Sequence, residues 1–175
     1  MEENMKTTIK AAVEAFELPQ YDAIPDVGLY LEQVTRYVCD CLAPLEITIT
    51  TSMVGNYVKK GLISNPVKKL YSREQVAYLI FIAVAKTVLS LEDIQLLIGL
   101  QKKTYAPKVA YDYFRKEFKN VLDFVFDLKD TLQEVGSEQS DERIMLRNTI
   151  ITVSYKVYLD KCFSALAQDG QGNML

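Results

Sequence analysis

Ser72-Arg73-Glu74-Gln75-Val76-Ala77-Tyr78-Leu79-Ile80-Phe81-Ile82-Ala83-Val84-Ala85 decides how the rest of the chain must be arranged. Its first four residues form a capping box. A Ser hydroxyl and a Gln side chain three residues apart each meet the other's backbone N–H, and so open a helix. The ten residues from Val76 to Ala85 are apolar on every side of that helix. A helix without a polar face has to be surrounded, so the flanking segments are expected to wrap around it. Ten residues are also about half of what a bilayer span needs, which makes this a buried helix and not a membrane anchor.

Upstream lie Leu62-Ile63, then Asn65-Pro66, then Lys68-Lys69, then Leu70-Tyr71. Asn-Pro is a turn signal. With short apolar pieces on either side of it, the stretch predicts a tight β-hairpin with a basic tip. Before it, Thr50 or Thr51 can cap a helix running to about Lys60, with Val54, Tyr57 and Val58 facing inward. Gly61 suits the left-handed position after the last turn, and Leu62 the apolar contact that accompanies it. Further back, Asp26 to Leu42 carries Val27, Tyr30, Leu31, Val34, Val38 and Cys41 at helical spacing, with Asp26 as the cap. Residues 4–17 predict a short amphipathic helix with Ile9, Ala12, Val13 and Phe16 on one side, and Leu18 to Pro25 is a connector.

Downstream, Ser90-Leu91-Glu92-Asp93 starts another helix with Ile94, Leu97 and Ile98 inward. Tyr111, Phe114, Phe118, Val121, Val125, Leu128, Leu132 and Val135 then form an unbroken heptad seam. Gly136 to Ser140 is a polar turn, and Asp141 to Ala167 is helical again. The last two helices are expected to form an antiparallel hairpin. The second of them has a wider apolar face than one partner needs, so a homodimer through 111–135 and 141–167 is an open expectation. The tail from Gln168 is expected to fray. The fold class is thus all-α: a head over 1–104 with a small β-hairpin wing, then a helical hairpin over 105–175.

The net charge of −3 conceals an uneven distribution. Residues 47–86 hold Lys59, Lys60, Lys68, Lys69, Arg73 and Lys86 against one acid, Glu74, and the chain on both sides is net acidic. Histidine is absent, which removes the commonest general base and metal ligand. The seven glycines are scattered singly, so no phosphate-cradling loop is evident. Cys39, Cys41 and Cys162 read as small buried side chains of a reducing compartment, since a one-residue gap is too short for usual zinc-ligand pairs. No enzyme activity, cofactor or metal is expected. The N-terminus carries Glu2 and Glu3 and no apolar signal core, so a cytoplasmic location without a membrane contact is expected.

Between Thr50 and Ile98 the order is helix, basic hairpin, buried helix, short helix. It carries Tyr57-Val58-Lys59-Lys60-Gly61-Leu62-Ile63, Pro66, Lys68-Lys69, Tyr71-Ser72-Arg73-Glu74, Leu79-Ile80-Phe81-Ile82 and Ser90-Leu91-Glu92-Asp93-Ile94. This pattern resembles the winged helix-turn-helix head of MerR-type regulators. The resemblance implies a DNA-binding transcriptional regulator with a recognition helix at about 51–60 and a basic wing at about 64–71. Gly55 stands where that family usually has an Arg, and Asn56 where it has an aromatic. The wider sequence, with Leu18-Pro19 and Ile24-Pro25-Asp26, looks like a bacterial family known as domain of unknown function 1836, which implies no activity.

The candidate DNA-binding residues are Thr51, Ser52, Asn56, Tyr57, Lys59, Lys60, Lys68, Lys69, Tyr71 and Arg73. Lysines suit phosphates, which position a protein without reading sequence. Ser52 and Asn56, at i and i+4, are better suited to base edges, and Asn pairs with adenine. Double-stranded DNA is the expected partner, with a protein-interaction adaptor on the same scaffold as the alternative. Tyr105, Tyr111, Tyr113 and Phe114 read as core packing, with a ligand pocket beside the head as the other use.

Overall fold

The computed structural model describes residues 3–133 and 140–172, with the side chains of 7–133 and 140–167. Among these residues there are seven α-helices: α1 (Glu3–Glu14), α2 (Leu31–Leu42), α3 (Thr51–Lys59), α4 (Arg73–Ala85), α5 (Leu91–Thr104), α6 (Pro107–Val125) and α7 (Asp141–Gly172). None is long and apolar enough to cross a membrane. The capping box forms as read. Gln75 Oε1 accepts from Ser72 N at 2.8 Å, and Ser72 Oγ accepts from Gln75 N at 3.4 Å. Ten of the thirteen residues of α4 are buried. The helix is enclosed by α2, α6 and α7, as a helix without a polar face requires. One continuous core runs from Ile9 and Phe16 through α4 to Ile150 and Cys162.

The β-hairpin wing does not form, and no strand exists among the described residues. Leu62 and Ile63, the expected first strand, are drawn into the core at 1% and 3% exposure. The carbonyl of Ser64 accepts from Gln75 Nε2 at 2.8 Å, and Pro66 has no N–H to give a ladder. What remains is a two-residue turn: Lys68 and Lys69 have φ of 50° and 66°, and Leu70 N donates to Val67 O at 2.9 Å. Positive φ at both central residues is the type I′ pattern. Tyr71 pairs elsewhere, exchanging both backbone hydrogen bonds with Leu29 (2.8 and 3.0 Å).

That pairing also shortens the second helix. It begins at Leu31 and not at Asp26, because Gly28 takes φ +77° and Leu29 is extended beside Tyr71. A Cβ on Gly28 would meet Leu70 at 3.0 Å, so glycine permits both the turn and the approach. Val27 and Tyr30, expected on the inner stripe, are 85% and 57% exposed.

The last two helices differ from the expected antiparallel hairpin: they run parallel. The Arg143 guanidinium lies 4.4 Å from the Tyr113 ring centre, Arg147 Nε lies 3.1 Å from Glu117 Oε1, and Phe126 meets Tyr158 at 5.3 Å. Residue numbers rise together on both helices. The heptad seam is internal, and its helix stops at Val125. Asp127 turns left-handed (φ 53°), and Asp123 O accepts from Leu128 N at 2.7 Å. Asn120 Nδ2 then holds Gln133 O at 2.8 Å, so the link heads back along α6. Fifteen residues, 126–140, reach up to ~50 Å when extended, ample for a return along a helix of about 28 Å. Val135 lies outside the described residues.

Candidate nucleic-acid interface

Thr50 Oγ1 caps α3 by accepting from Met53 N at 3.2 Å. Val54 and Tyr57 turn inward and are fully buried, which fixes the opposite side to solvent. Thr51, Ser52, Gly55, Asn56 and Lys59 occupy that exposed side. The helix ends in a Schellman motif: Leu62 N donates to Tyr57 O and Gly61 N to Val58 O, both at 3.0 Å, with Gly61 at φ +75°. The glycine and the leucine thus do what their sequence positions predict.

A second clasp holds this end of α3. Lys60 Nζ pairs with Glu92 at 2.8 Å, and Gln95 Nε2 donates to Lys60 O at 3.2 Å. Lys60 therefore has a carboxylate partner on α5, and it holds the Glu92 carboxyl below its ordinary range. Lys59, Lys68 and Lys69 are exposed, and no carboxylate among the described residues pairs with them.

Three of the ten candidate residues face the protein. Tyr57 is fully buried, with Lys86 Nζ 5.9 Å from its ring centre, and burial pushes its hydroxyl up to about 12. Tyr71 is 4% exposed. Arg73 is mostly covered: its Nε donates to Ile24 O at 2.9 Å, Asp22 and Asp26 lie 3.9 and 3.7 Å from its terminal nitrogens, and it stacks over Tyr21. It ties the Leu18 to Pro25 connector and Asp26 to the start of α4. The exposed group is therefore Thr51, Ser52, Asn56, Lys59, Lys68 and Lys69, with Lys60 at its edge.

Tyr111 and Phe114 are buried in the core, as the core-packing reading expects, and together with Tyr105 and Tyr113 they also line a cavity. Ala77, Ala110 and Arg143, which the sequence reading did not single out, stand beside them. The one signal for these lay in the size contrast: alanines next to runs of rings leave space.

The sequence matches the family described as Domain of unknown function (DUF1836) over residues 19–114, in keeping with the resemblance read around Pro19 and Ile24-Pro25-Asp26. No curated protein and no solved structure matches the chain.

Proposed function

We propose, for a chain that thereby belongs to the family Domain of unknown function (DUF1836), that it binds double-stranded DNA through α3 and the lysine-tipped turn, as a regulator of the kind the MerR-type resemblance implies. The observation that carries this reading is the concentration of exposed lysines without a carboxylate partner among the described residues, Lys59, Lys68 and Lys69, on two elements only a few residues apart in an otherwise acidic chain. A nine-residue helix fits the major groove. Ser52 and Asn56 stand on its exposed side, where side chains can meet base edges. The ammonium groups would neutralise phosphates and release counterions, so affinity should fall steeply with salt.

Fluorescence anisotropy on a labelled 30-base-pair duplex, titrated from low to physiological salt, tests this. Lys59→Glu and Lys68→Glu should each weaken binding and lower the salt slope by about one. Lys60→Ala should have less effect, since Lys60 already has Glu92. A duplex that stays unbound at low salt overturns the reading.

The same reading makes the protein a dimer. Tyr155, Leu159, Phe163 and Leu166, spaced 4, 4 and 3 along α7, are 48–63% exposed. A second copy of this stripe would cover them, and two copies of α3 could then address two half-sites. Sedimentation should give twice the 19.9 kDa chain mass, and Phe163→Glu should return it to one. A monomer at high concentration would count against this part.

A further inference from the structure

Between α4, α5 and the first turns of α6 and α7 lies a cavity of about 160 Å³. Six rings wall it: Tyr78, Phe81, Tyr105, Tyr111, Tyr113 and Phe114. They brace one another, with Phe81 and Phe114 edge to face at 5.3 Å and Tyr111 tilted against Phe114 at 6.2 Å. The space exists because Ala77 on α4 and Ala110 on α6 present only a methyl group to it. The parallel course of α6 and α7 completes it. An antiparallel pair would have brought the far end of α7 here in place of Arg143 and Leu146.

Of the polar groups on the wall, the Tyr111 hydroxyl is buried without a hydrogen-bond partner among the described residues, and the others below are engaged within the protein. Tyr78 Oη donates to Gln101 Oε1 at 2.9 Å, and Gln101 Nε2 donates to Tyr105 O at 2.7 Å. Glu142 accepts from Thr104 Oγ1 at 3.2 Å, and Arg143 stacks on Tyr113. The Tyr111 hydroxyl is neutral, so a charged ligand would still have to break one of these contacts to find a charged partner. A flat apolar one would displace nothing and would meet ring faces and edges, the contacts aromatic groups prefer. Apolar cavities of about 150 Å³ take up benzene. Val109, 56% exposed and also on the wall, places one side of the cavity at the surface.

The geometry points to a binding site for a small, neutral, planar aromatic molecule of one or two rings. Such a site is independent of whether the chain binds DNA. The test uses the full chain, with indole as the planar probe and n-octanol as a flexible apolar control. Indole at millimolar concentration should raise Tm. It should also shift the methyl resonances of Leu97, Ile98 and Leu146 and leave those of Val34 and Val38 on α2 in place. Ala110→Leu, which fills the space, should weaken indole binding roughly tenfold or more. Should that variant misfold, the methyl map of the unsubstituted chain decides alone. Unmoved cavity methyls at saturating indole, or equal shifts with n-octanol, overturn the assignment.

Discussion

Lys68 and Lys69 both hold a backbone conformation that L side chains avoid. The left-handed region costs a non-glycine residue about 1 kcal/mol or more, and Asn-Gly is the pair that fits such a turn best. Replacing Lys68-Lys69 by Asn-Gly should therefore stabilise the fold by about 1–2 kcal/mol in urea unfolding. The same change should weaken duplex binding, because two unpaired charges leave with it. Lys68→Ala with Lys69→Ala would lose the charges without the conformational gain, which separates the two effects. No gain in stability with Asn-Gly would mean the turn is not strained. At this scale the sequence was legible wherever a residue's backbone need was local. Gly61 and Leu62 are the clear case, since a helix end needs a left-handed residue followed by an apolar one. It was not legible for Arg73, whose partners Asp22, Asp26 and Ile24 lie some fifty residues away. Counting charge placed this Arg among the DNA contacts; its neighbours spend it on the fold.

Among the helices, α3 has a glycine in its middle. Gly55 is exposed, and a Cβ there would meet nothing within 4 Å. Gly55→Ala should thus stabilise α3 by ~0.5–1 kcal/mol. Gly61→Ala, at φ +75°, should destabilise by a similar amount. Chemical denaturation of the two variants checks both signs, and a destabilised Gly55→Ala would show that α3 is bent or crowded in a way the structure does not have. Helix existence was readable from period, and the caps were readable at α3, α4 and α5 but not at α2, where Tyr30 and not Asp26 is the cap. Boundaries and direction were not. Val27 and Tyr30 satisfy the helical spacing of α2 yet lie outside it, because Leu29 has a better use for its backbone beside Tyr71. The seam from Tyr111 to Leu132 is periodic across a real helix end, since Leu128 and Leu132 fold back half-buried onto the same core. Periodicity reports which side is apolar and carries no sign for direction, so a long link allows either a parallel or an antiparallel partner.

Across the molecule, burial sets the response to alkali. It raises Cys41 from 9.0 to about 11, and Tyr37, Tyr57 and Tyr78 from 10.0 to about 12; Tyr111 is raised as well. Above about pH 9 the unfolded chain releases protons that the folded chain retains, which favours unfolding. Stability from these groups is complete below that pH and is lost as pH climbs from about 9 towards 12. Thermal melts should show Tm falling through this window. A Tm unchanged up to pH 11 would contradict the burial of these side chains. The helical class and the need to enclose α4 were readable from composition and pattern, but the identity of its covers was not, because any apolar stripe of the right length satisfies that need. Those covers have a consequence in time. Translation proceeds at roughly 5–20 residues per second, and Val153 and Val157 follow Ala85 by about seventy positions. For several seconds after α4 leaves the ribosome, its greasiest surface faces water with none of its later covers yet made, and holding that segment apart from its neighbours falls to whatever meets nascent chains first.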